Sequence, residues 1–75
     1  MTAFVIEYNR KTADRTVTSF PGVEGRRAAM RRRLELEKTR TDTDVEIVSL
    51  VSDSIETLRR THSRYFQGRE LAANA

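Results

Sequence analysis

Ala3-Phe4-Val5-Ile6-Glu7-Tyr8 is the stretch on which the fold turns. Its β-branched and aromatic residues predict a strand. Successive side chains alternate along an extended chain, so Phe4, Ile6 and Tyr8 share one face while Ala3 and Val5 share the other. Both faces are at least partly apolar, and such a strand belongs at the centre of a sheet.

Working outward, Asn9 to Asp14 supplies turn-type residues and Arg15 to Phe20 resumes with Thr-Val-Thr, which predicts a hairpin. Pro21-Gly22 ends the second strand. From Val23 good helix formers dominate, fading near Thr39. Val23, Met30 and Leu34 share one apolar stripe at helical spacing, with Ala29 and Leu36 on its flank. Thr41 to Asp44 is a polar loop, and Val45 to Val51 is a third β-branched strand. Asp53 stands where an N-cap belongs, with Glu56 three residues later as in a capping box. Ile55, Leu58, His62 and Tyr65, with Phe66 beside them, form the apolar face of a second helix that Gly68 would close.

The order is ββαβα, an α+β fold. Placing the most apolar strand centrally gives a three-stranded sheet of order 2-1-3, and the connection from the second strand to the third becomes a right-handed crossover. The third strand is again two-faced, with Val45, Ile47 and Val51 on one side and Val48 and Leu50 on the other. Either the helices divide between the faces or one face meets another chain. Small domains tend to keep helices on one side, so the expectation is two helices packed mainly on one face. Residues 1–67 are expected to form the single domain and 68–75 a flexible C-terminal tail.

A chain of 75 residues accommodates one core. At this length only about 60% of the unfolded surface is buried on folding. Cysteine is absent, which removes disulfides, thiolate chemistry and cysteine zinc sites from consideration. The single histidine, His62, argues against a histidine-rich metal site. Association with another chain is the remaining way to staple so small a domain. No signal-type segment opens the sequence, and the apolar run Val45 to Val51 is broken by Glu46 and Ser49. The expected setting is cytoplasmic, without membrane contact.

Charge is unevenly placed. Residues 23–41 hold seven basic and three acidic side chains, whereas residues 42–56 hold five acidic and no basic ones. Twelve of the fourteen basic residues are arginine, whose planar fork suits phosphate and carboxylate. Arg26, Arg27, Arg31, Arg32 and Arg33 cluster on the first helix and Arg59, Arg60 and Arg64 on the second. Clusters of this kind bind phosphate backbones. Cations in the first half of a helix also oppose its dipole. Against this stand Arg31–Glu35 and Arg33–Glu37 at i, i+4, and Glu35–Lys38 and Glu37–Arg40 at i, i+3, which would make a salt-bridged solvent face.

Other signals are weaker. His62 on an apolar helix face reads as a core or boundary residue rather than a general base. Asp42, Asp44 and Glu46 alternate along an extended segment but lack the glycine and distal glutamate of a calcium loop. Gly22 and Gly25 lack the lysine and threonine of a phosphate-binding loop. No cofactor, metal or catalytic residue is expected.

These readings point to a small non-enzymatic protein-interaction module that self-associates through a partly apolar sheet face or edge. Val5, Val48 and Leu50 are the expected apolar contacts, with Arg31, Arg32, Arg60 and Arg64 as rim charges. The alternative is nucleic-acid binding along the phosphate backbone by Arg26, Arg27, Arg31, Arg32, Arg33, Arg59, Arg60 and Arg64 on the two helices.

Overall fold

The chain turns back on itself first at Asn9. Its side-chain carbonyl accepts from the Lys11 and Thr12 amides at 2.9 and 3.1 Å, and its own amide donates to the Asp14 carbonyl at 2.9 Å. An asparagine that bonds the backbone two residues on is a turn former, and here it joins two antiparallel strands. The computed structural model describes residues 1–71. They form β1 (Thr2–Asn9), β2 (Arg15–Phe20), α1 (Gly25–Thr39), β3 (Val45–Ser52), α2 (Ile55–Thr61) and a 3-10 turn over Ser63–Phe66.

The sheet has the order β2-β1-β3 and is antiparallel throughout. In its register Ile6 stands opposite Val17 on one side and Val48 on the other, and Val5 opposite Thr18 and Ser49. The ββαβα order and the central position of β1 agree with the sequence reading.

The helices do not share a face. Ala3 and Val5 of β1 and Ile47 of β3 pack under Ala29 and Leu36 of α1. Phe4 and Ile6 pack on the opposite side against Leu58 of α2 and Tyr65 of the 3-10 turn. The expectation of two helices mainly on one face is therefore corrected. The reason lies in β1, where neighbouring residues Val5 and Ile6 are 1% and 0% exposed. Each such side chain is worth roughly 1.5–3 kcal/mol when withdrawn from water. A helix is about 10 Å across and a three-stranded sheet little wider, so one helix suffices for one face.

The first helix is also rotated relative to the sequence reading. Its inner face is Gly25, Ala28, Ala29 and Leu36, while the stripe of Val23, Met30 and Leu34 looks into solvent. Gly25 sets that rotation, because a Cβ there would lie 2.0 Å from the Phe20 carbonyl oxygen. With a glycine wedged against β2, Ala28 and Ala29 one turn on and Leu36 three turns on must also face the sheet.

The second helix is shorter than its apolar periodicity implies. It ends at Thr61, and His62 adopts a non-helical conformation (φ −129°, ψ 48°) before the 3-10 turn begins. Ser54, not Asp53, caps it by accepting from the Thr57 amide at 3.2 Å. The segment expected to be tail is partly engaged. The Arg15 amide donates to the Arg69 carbonyl at 2.9 Å, the Leu71 amide to the Arg15 carbonyl at 2.6 Å, and the Arg15 guanidinium to the Gly68 carbonyl at 2.8 Å. Residues 72–75 of that expected tail lie outside the described residues.

Replacing Gly25 by alanine forces α1 away from β2. The expected loss is about 1–3 kcal/mol, read as a lower urea midpoint. Val23→Ala, at a fully exposed position, should stay within about 0.5 kcal/mol of the parent. Equal midpoints for the two variants would refute the wedge.

Candidate interaction site

The two outer edges of the sheet differ. β2 is a polar strand of six residues, and at Arg15 the segment Arg69–Leu71 runs alongside it, with a parallel bridge to Glu70. β3 is eight residues long, reads Val-Glu-Ile-Val-Ser-Leu-Val-Ser, and has no strand on its outer side among the described residues. Natural edges are usually blunted by lysine, proline, a bulge or shortness. β3 has neither lysine nor proline, and its single charge, Glu46, sits near its start. Val51, near the other end, is 45% exposed.

The outer face of α1 is the second surface. Met30 and Leu34 are 47% and 53% exposed there, flanked by the exposed Arg26, Arg27, Arg31 and Lys38. Most other arginines are used by the fold. Arg10, Arg15 and Arg40 reach backbone carbonyls. Arg32, Arg33, Arg64 and Arg69 pair with carboxylates, and Arg59 lies over the Phe66 ring at 5.7 Å. Among the described residues only Arg26, Arg27, Arg31 and Arg60 have neither an ion pair nor a side-chain hydrogen bond nor a ring. Of the ion pairs read from spacing, Arg33–Glu37 forms at 3.6 Å, but Glu35 sits 4.0 Å from Arg32, which leaves Arg31 free. Arg40 turns to the Val45 carbonyl instead of Glu37. The first turn of α1 holds no acidic residue, and Glu24 at its N-cap makes no side-chain capping bond, so two arginines stand in the first turn with one carboxylate beside them.

A third cluster joins β3 to the 3-10 turn. The Tyr65 hydroxyl donates to Glu46 at 2.6 Å, and Arg64 donates to both Glu46 oxygens at 3.0 and 2.9 Å. Arg64 also covers the Tyr65 ring at 4.5 Å, and Tyr8 meets that ring edge-on at 5.1 Å. The Tyr65 hydrogen bond holds the Glu46 carboxyl below the ordinary range, against the opposing pull of burial, with Arg64 and Arg10 adding to the effect. Burial, with the carboxylate beside it, pushes the Tyr65 phenol up. These are the shifts of a clasp between two strongly bonded groups.

Placement of the expected contact residues follows from the divided helices. Val5 is buried under α1 and is no surface contact. Val48 and Leu50 are half-buried on the other face, packed with Phe4 and Ile6 beneath α2. These three therefore do not form one apolar patch, since an open sheet face does not exist. Arg31 is exposed on α1 and Arg32 is salt-bridged beside it, whereas Arg60 and Arg64 lie across the sheet. The same division separates the alternative set: Arg26, Arg27, Arg31, Arg32 and Arg33 are on one side, and Arg59, Arg60 and Arg64 on the other. The two helices of one copy cannot track one phosphate backbone together.

His62 is half-buried, accepts or donates at 2.9 Å to the Thr61 hydroxyl through Nδ1, and stacks on Tyr65 at 6.5 Å. Among the described residues no group of histidine and carboxylates has metal-binding geometry, and Glu46 of the alternating acidic segment is taken by Arg64 and Tyr65. No helix there is long and apolar enough to cross a membrane. Comparison of the chain with protein-family models, curated proteins and solved structures returned no match.

The clasp predicts a pH dependence of stability. Because folding depresses the Glu46 pKa, its contribution is fully present above about 4.5, the unfolded value, and is lost as pH falls through the folded one. Stability of the parent should thus decline more steeply below pH 4.5 than that of Glu46→Gln, in paired urea titrations. Tyr65→Phe should cost about 1–2 kcal/mol at neutral pH. Parallel pH profiles for parent and Glu46→Gln would dismiss the clasp as a stabilising element.

Proposed function

We propose that this protein is a small non-enzymatic interaction module that self-associates by pairing the outer edge of β3 with the same edge of a second copy. The observation that carries the reading is the asymmetry of the two edges, one polar and partly occupied by Arg69–Leu71, the other longer and more apolar, with no strand alongside it among the described residues and with Asp42 and Arg40 bonded to its first residue, Val45. An unpaired strand edge is a row of amide and carbonyl groups ready to form a ladder with another chain. Antiparallel pairing of identical strands is self-complementary, as a two-fold dimer requires. Strand addition of this kind draws its affinity from main-chain bonds and its selectivity from the side chains beside them.

The edge replaces the open sheet face as the basis for association, since both faces are covered by the chain's own helices.

Light scattering over a concentration series should give twice the chain mass, and the dimer should persist at high salt because the contact is not ionic. Val51→Lys places a charge on the edge at a position that is already exposed. It should halve the mass while leaving the urea midpoint of the dissociated chain within about 0.5 kcal/mol of that of the dilute parent. A parent that stays monomeric at every concentration, or a Val51→Lys dimer as tight as the parent, removes this proposal.

A further inference from the structure

We infer that pairing through β3 assembles a basic face, made of α1 from both copies, that binds the phosphate backbone of a nucleic-acid duplex. The inference rests on the edge-paired dimer and concerns what that dimer presents.

Joining two antiparallel β3 edges by a two-fold axis normal to the sheet makes one continuous six-stranded layer, and each face of one copy continues into the same face of the other. Both α1 helices then lie on one side, and both α2 helices on the other. α1 packs on residues of β1 and β3, and strands are spaced about 4.8 Å apart, which places the two helix axes about 10–15 Å from each other. The division of helices that prevents one copy from using both arginine clusters on a single ligand thus doubles the α1 cluster in the dimer.

Of the four arginines without a partner among the described residues, three lie on this face. Arg27, Arg31 and Lys38 follow at i, i+4 and i+11 along one exposed row, a line of positive charge about 16 Å long. Arg26 stands on the other flank of Met30 and Leu34. Two cations in the first turn weaken a helix against a single carboxylate at its N-cap, Glu24, and a bound anion along the row offsets that effect. Two α1 helices facing each other cannot neutralise the charge, because both are basic there. The ligand class is therefore a polyanion spanning both helices, and the guanidinium fork favours phosphate oxygens. Arg26, Arg27 and Arg31 stand beside the exposed Met30 and Leu34, and contacts from arginine to phosphate fix position without reading sequence.

The test uses the full chain and a fluorescein-labelled 20-base-pair DNA duplex in two unrelated sequences, beside an RNA duplex of one of them, with anisotropy read at low and moderate salt. Mass is measured on the same samples. The parent should bind both DNA sequences within a few-fold of each other, and comparison with the RNA duplex distinguishes the source of the phosphate. Arg27→Ala with Arg31→Ala removes four cations from the dimer, which should remain a dimer, lose about 100-fold in affinity and show a salt slope shallower by about 3–4. Arg60→Ala, on the opposite face, should bind as the parent does. Val51→Lys, as a monomer, should bind at least about ten-fold more weakly, since it keeps half of the phosphate contacts.

A dimeric parent that ignores both duplexes overturns this inference and leaves the edge reading standing. A monomeric parent overturns the edge reading, and the pooled face with it. Parent-like binding by the α1 double variant, or by monomeric Val51→Lys, also overturns the inference, as does an Arg60→Ala loss equal to that of the double variant.

Discussion

Val5 and Ile6 are consecutive residues on the central strand, and they point to opposite sides of the sheet with almost no surface left to water. Everything else in the architecture answers to that requirement. A strand buried on both faces needs a layer above and a layer below, as strands between two helical layers do. With two helices available, one must go to each side. The register places Val17 and Val48 beside Ile6, and the chain from β3 supplies α2 and the 3-10 turn to cover them. Ala3 and Val5 are covered by α1, which has already crossed from β2 to β3 on the other side.

The small volume of the Ala3–Val5 side sets the character of α1. A helix that approaches a sheet through Gly25, Ala28 and Ala29 sits close, and it has no room beneath it for Met30 or Leu34. Those side chains turn outward together with the arginines that neighbour them. Exposure of the apolar stripe is thus a consequence of how β1 is packed in the layer beneath. It is also why charge on α1 remains unneutralised, because Glu35 and Glu37 are drawn to Arg32 and Arg33.

Arginine serves two separate purposes in this molecule. Arg15, with its side chain nearly buried, ties the Gly68 carbonyl and Glu70 to the start of β2 and lies over Phe66 at 4.8 Å. Arg64 holds the clasp at Glu46 and Tyr65. These cations replace the packing that a chain of this size lacks, through charge-assisted bonds and ring contacts. Among the described residues Arg26, Arg27 and Arg31 have no ion pair, side-chain hydrogen bond or ring contact. The same residue type, dense along the chain, therefore divides into structural and unassigned sets only when the partners are seen.

Read alone, the chain determined a good deal: three strands, two helices, their order and the central place of β1. The signals are local and strong, since alternation of apolar residues, the Asn9 turn and Pro21-Gly22 act over a few neighbours. The two-faced pattern of β1 and β3 even posed the right question about cover. Tertiary structure alone decided the answers. Helix placement depends on a balance over the whole sheet that no window of sequence contains. The rotation of α1 depends on Gly25 meeting the Phe20 carbonyl, and the break at His62 accompanies the bonding of Tyr65 to Glu46, residues nineteen positions apart. Periodicity registers which residues align on a helix, yet it does not say which face will find a partner. Met30 and Leu34 align on α1 as the sequence implies while Val23 precedes the helix, and all three face water because the sheet beneath takes glycine, alanine and one leucine.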